Sequence, residues 1–135
     1  MQETWLNKSE SYGEQQLENK CMKIHNNSVG KGKGITTIFK QNYSVQKDIK
    51  EESYQITKIT SQSQDIVNIY RSSVGSYDVS LIENLISLIN PNKDTIVLGD
   101  FNMCFITEKD RIVLTTLHSM GFKQLVTMPS HIQAD

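Results

Sequence analysis

Apolar and polar positions change rhythm several times along the chain. Residues 7–34 are rich in Asn, Lys, Glu, Gln, Ser and Gly and poor in apolar side chains, which predicts a long polar loop. It closes with the spaced glycines of Gly30-Lys31-Gly32-Lys33-Gly34. Ile35-Thr36-Thr37-Ile38-Phe39 is β-branched and aromatic and predicts a strand over 35–39. Residues 54–59 alternate apolar with polar, and 66–70 follow after a Ser/Gln-rich turn, so the two predict an antiparallel hairpin.

Helical spacing then replaces alternation. Val79, Leu81, Ile82, Leu85, Ile86 and Ile89 predict an amphipathic helix over 79–90, with Asp78 as its N-cap and Asn90-Pro91 as its stop. Thr95-Ile96-Val97-Leu98 is a continuous run ended by Gly99, the pattern of a buried strand. A second helix is predicted over 109–120, with Ile112, Val113, Leu117 and Met120 inward and Gly121 as its stop. A last strand is predicted over 122–126. Interleaved strands and helices place the chain in the α/β class with a mixed sheet.

Composition narrows the class. The chain has 135 residues, enough for one domain, and 37% of them are apolar, which makes the expected core lean. Seven Gly, two Pro and two Cys exclude a collagen-like chain and a disulfide scaffold. Cys21 and Cys104 have no Cys-x-x-Cys spacing and read as ordinary intracellular thiols. No apolar run approaches the ~18 residues of a membrane span, and the first residues carry no secretory signal. The expected setting is intracellular, not secreted and away from the membrane. A net charge of −1 leaves no basic footprint for nucleic acid. An enzyme acting on nucleic acid can carry its positive charge as a bound metal ion instead.

The chemistry concentrates at Gly99-Asp100-Phe101-Asn102, just past the 95–98 strand. Residues two apart in extended chain point to one side, so Asp100 and Asn102 can address one centre. A carboxylate there can hold a water or a hard cation, and an amide can orient that water or a phosphate oxygen. A plain strand-ending Asp/Asn turn has the same residues. Gly30 to Gly34 invites a phosphate-loop assignment, but the Ser/Thr of a Walker pattern is misplaced and a strand follows, so a flexible loop is expected. His25, His118 and His131 lack zinc spacing, and His118 is expected on a helix surface.

The stretch resembles the Gly-Asp-Phe-Asn signature of the endonuclease/exonuclease/phosphatase superfamily, above all the endonuclease domains of LINE-type retrotransposons. Other segments resemble family motifs in the same order: Gln2-Glu3-Thr4, the glycine-rich approach at 30–35, Asn68-Ile69-Tyr70, and Gln124-Leu125-Val126 with Pro129-Ser130-His131. The resemblance implies a four-layer α/β sandwich and a Mg²⁺- or Mn²⁺-dependent endonuclease that hydrolyses DNA phosphodiesters. It implies Glu3 as metal ligand and Asp100 as the group that orients or deprotonates the attacking water. Asn102 would hold that water or a phosphate oxygen, Tyr70 would hydrogen-bond the phosphate, and Ser130 would contact substrate. It further implies a nuclear location, no small-molecule cofactor, and a reverse transcriptase domain as partner in full-length relatives. The family's first and last strands and its terminal Ser-Asp-His have no counterpart here, so the expectation is a partial sandwich, impaired or inactive as this fragment. The alternative is a non-catalytic retroelement-derived remnant or binding module.

Overall fold

A computed structural model describes residues 21–31, 33–72, 79–103 and 111–128. The chain divides into two compact units, Met1–Asn102 and Met103–Asp135. The first holds two sheets and a helix. Strands β1 (Met22–Gly30) and β2 (Lys33–Lys40) form an antiparallel pair. Strands β3 (Ser44–Lys50), β4 (Tyr54–Thr60), β5 (Gln64–Arg71) and β6 (Asp94–Asp100) form a four-stranded sheet in that order. Helix α1 (Val79–Leu88) stands between β5 and β6 in sequence and is the crossover that lets β6 run parallel to β5. The class is mixed α/β but dominated by strand, at 49% of the described residues.

Alternation along β4 explains how the four-stranded sheet is covered on both faces. Tyr54, Ile56 and Lys58 point to α1, and Gln55, Thr57 and Ile59 point to the β1–β2 pair; all six are buried. On the helix side, Leu81, Leu85 and Leu88 of α1 are buried at helical spacing, and Val67 and Ile69 of β5 are fully enclosed. The Tyr54 hydroxyl lies 2.8 Å from Ser80 Oγ and accepts a hydrogen bond from Asn84 Nδ2 at 2.6 Å.

Lys58 reaches the other end of α1, where its Nζ donates to the Leu88 carbonyl at 2.6 Å. A cation suits the negative end of a helix dipole. Lys58 is also 3.1 Å from Asp65, which is 1% exposed, and Lys93 is 3.5 Å from the same carboxylate. The Thr60 hydroxyl donates to Asp65 at 2.5 Å. Burial is the largest single influence on this carboxyl and pushes its pKa up. Thr60, Lys58 and Lys93 together outweigh burial and hold the pKa below its ordinary 3.8. The network sits at the amino end of β6 and fastens α1, β4 and β5 together.

The two sheets are joined largely by polar side chains. Asn27 of β1 donates through Nδ2 to the Ile56 carbonyl at 2.9 Å, with Thr57 Oγ1 at 3.2 Å and the Ile49 carbonyl at 3.3 Å. His25 Nε2 lies 2.6 Å from Asp48 Oδ2, and Thr57 donates to Asp48 Oδ1 at 2.8 Å. Asn68 Nδ2 donates to Thr37 Oγ1 at 3.2 Å. Ile35 and Phe39 of β2 supply the buried apolar part of this layer.

Several sequence expectations change. The described part of 7–34 is not a loop: it contains all of β1 and the start of β2. Lys23, His25 and Asn27 occupy the inward positions of β1, and their polarity hides the alternation that marks a half-buried strand. Each finds a hydrogen-bond partner on β3, β4 or the turn before them. Of the spaced glycines, Gly30 ends β1 and Gly34 lies within β2, opposite Ser28. Gly34 is required there, because a Cβ would lie 2.7 Å from the Asn27 carbonyl. Strand β3, rich in polar residues, has Val45 and Ile49 as its apolar positions and is not among the elements the sequence predicts.

The 95–98 run is a strand but not an enclosed one: Ile96 and Leu98 are each 43% exposed, because β6 is the last strand of its sheet among the described residues. Residues 122–126 form no strand; no neighbour pairs with them among the described residues, and Leu125 is 83% exposed. In the second unit, α2 (Arg111–Ser119) buries Val113 and Leu117 but leaves Ile112 and Met120 exposed. His118 is exposed on it, as expected.

Candidate functional site

The parallel β5–β6 pair brings the central candidates together. In its register Ile69 pairs with Gly99 and Tyr70 with Asp100, at the carboxyl ends of both strands. Paired residues on adjacent strands project to the same face, so Tyr70 and Asp100 share one side of the sheet. In open α/β sheets this end is where ligands bind. Tyr70 is 5% exposed and Asp100 half-buried. Asn102 follows two residues later, at the exit from β6.

Close approach of the two strands depends on Gly99. It has a φ of +148°, and a Cβ there would come within 1.9 Å of the Ile69 carbonyl oxygen. Glycine is the residue that fits both the conformation and the space. The chain then turns at Asn102, whose φ is +45° and whose N–H donates to Asp100 Oδ1 at 3.0 Å. Asn tolerates this left-handed conformation better than most residues.

Asn102 and Arg71 bracket the strand ends. Asn102 Nδ2 donates to the Arg71 carbonyl at 2.6 Å, and Arg71 Nη1 is 3.5 Å from the Asn102 carbonyl. The amide nitrogen of Asn102 is thus engaged with the main chain, and the side-chain oxygen is the atom left to face a ligand. Arg71, 8% exposed, brings a cation to the site. Its place directly after Tyr70 was the available sequence signal, but the bracket depends on chain 31 residues away.

Gln55 is the other residue that sequence reasoning missed. It pairs with Tyr70 across β4 and β5, so Gln55, Tyr70 and Asp100 form one row across three strands. Gln55 is fully enclosed; its Nε2 donates to the Glu51 carbonyl at 2.7 Å, and its Oε1 finds no hydrogen-bond partner among the described residues. No local pattern distinguishes it from any other polar residue in an alternating strand.

Glu3, Ser130 and His131 lie outside the described residues, as do Asp78 and Cys104. Among the described residues no group of three or more His, Cys, Asp or Glu is placed to hold a metal ion. Mg²⁺ is a hard cation that takes oxygen donors, commonly one or two carboxylates with substrate phosphates and water. Asp100 and the Asn102 side-chain oxygen are donors of that kind at one strand end, and their chemistry fits such an ion. No protein-family model matches the chain, and no curated protein matches it.

Proposed function

We propose that the chain is a metal-dependent phosphodiester-hydrolysing endonuclease domain of LINE-type retrotransposon origin that acts on DNA, impaired or inactive by itself. The proposed fold is a partial version of the four-layer α/β sandwich of the endonuclease/exonuclease/phosphatase superfamily. One observation carries the proposal: Tyr70 and Asp100, distant in sequence, are register partners at the carboxyl ends of two parallel strands, with Asn102 directly beyond. The same resemblance is the basis for proposing a nuclear location and a reverse transcriptase domain as partner.

In this proposal Asp100 accepts a proton from the attacking water or holds that water in line with the phosphorus. The Tyr70 hydroxyl donates to a non-bridging phosphate oxygen and favours the extra negative charge of the transition state. Arg71 adds positive charge behind it. The Asn102 side-chain oxygen orients water. Glu3 together with Asp100 would hold Mg²⁺ or Mn²⁺, which would supply charge neutralisation at the phosphate. Ser130 is the proposed substrate contact.

Nicking of supercoiled plasmid in Mg²⁺ tests the proposal. The expected result is weak or no nicking by the chain itself, any nicking present falling by about 100-fold or more in Asp100→Ala, in line with loss of a positioned acid–base group. Nicking that survives this substitution, or no saturable Mn²⁺ binding by folded wild-type protein, overturns it. A second possibility, a non-catalytic binding module, draws on the engagement of the Asn102 amide nitrogen with Arg71. Saturable Mn²⁺ binding by calorimetry that Asp100→Ala abolishes excludes an unassembled remnant.

A further inference from the structure

The two edges of the four-stranded sheet differ in kind. Edge strand β3 carries Lys47 and Lys50 and a register irregularity between Val45 and Lys47. Charges and bulges of this sort keep an edge from accepting another strand. Edge strand β6 has no bulge, residues 95–99 are neutral and pair with β5 one for one, and among the described residues no strand pairs with its other side.

The side chains of β6 add a second observation. Asp94, Ile96, Leu98 and Asp100 alternate onto one face, the face turned toward the β1–β2 pair. β2 lies over β4 and β5, and Ile96 and Leu98 remain 43% exposed. One face of an unprotected edge therefore reads acid, apolar, apolar, acid. A second copy of the chain is a poor occupant, because two-fold pairing centred on Val97 sets an Asp94 opposite an Asp100 at both ends.

We infer that β6 accepts an added strand from another protein, an extended segment with two apolar residues at alternate positions and a Lys or Arg at the next alternate position on each side. Main-chain hydrogen bonds to 95–99 supply affinity, and the alternating side chains supply choice of partner. The apolar pair lies beside Ile96 and Leu98, and the basic ends lie beside Asp94 and Asp100. The pattern is symmetric, so it matches in either strand direction.

A labelled peptide Lys-Thr-Val-Thr-Val-Thr-Lys, titrated with the full chain by fluorescence anisotropy, tests this. Asp94 is exposed and outside the candidate site, so its charge reversal separates strand acceptance from the proposed hydrolysis. The expected result is saturable binding, at least about 10-fold weaker with Glu at both peptide ends, with that preference reduced or inverted in Asp94→Lys. Circular dichroism of Asp94→Lys checks that it folds. Hydrogen exchange is expected to slow at amides within 95–99 on binding. No saturable binding, equal binding of the two peptides, protection away from β6, or concentration-dependent dimerisation of the free chain overturns the inference.

Discussion

The Asn102 side-chain amide donates to the Arg71 carbonyl at 2.6 Å, a hydrogen bond that ties the exit of β6 to the end of β5. Asn102 also holds a left-handed φ of +45°. Two substitutions separate these roles. Asn102→Gly keeps the backbone and loses the bond, and is expected to cost about 1 kcal/mol. Asn102→Ala adds strain of roughly 1 kcal/mol more. Urea unfolding measures both; equal midpoints for the two variants contradict the separation.

Asp65 makes stability depend on acid. Its pKa is lowered in the folded chain, so its stabilising contribution is present in full above the ordinary carboxyl range. It is lost as pH falls through the folded value, below 3.8. Wild-type protein is expected to lose more stability between about pH 5 and about pH 3 than Asp65→Asn does. Asp65→Ala leaves Lys58 buried without its counter-ion and is expected to cost about 3–5 kcal/mol at neutral pH. Urea midpoints across the pH range check both.

Gly99→Ala is expected to be severe. The added methyl meets the Ile69 carbonyl, which is main chain and cannot swing away, at a φ of +148°. A loss of about 3 kcal/mol or more follows from strain and clash together. Thermal unfolding measures it; a change within ~0.5 kcal/mol contradicts the strand spacing.

Asn27 tests how the sheets are joined. Asn27→Asp replaces a donor by an acceptor facing the Ile56 carbonyl, within a residue that is fully enclosed. The expected cost is about 2–3 kcal/mol, larger than for Asn27→Ser, because an unpaired buried charge is worse than a lost hydrogen bond. Chemical denaturation of the two variants gives the order.

The elements legible in the sequence by itself were those with strong local periodicity. Alternation at 54–59, the β-branched run at 35–39, helical spacing from Val79, and the apolar run stopped by Gly99 each correspond to an element of the structure. Each is set by side chains within a few residues of one another, which is what periodicity records. The residue types of the candidate site were equally legible, because Asp100 and Asn102 are local to one strand end.

Tertiary structure decided the rest. Strand β1 exists because Lys23, His25 and Asn27 find partners across the sheet interface, which no local pattern contains. The run 122–126 has strand-like composition but no ladder partner among the described residues, and a strand is a property of pairs. Whether the 95–98 run was enclosed depended on the order of strands, which leaves β6 at an edge. The meeting of Tyr70 with Asp100 depended on register across the crossover through α1. Sequence set which chemical groups stand near a strand end; long-range pairing set which of them face one another.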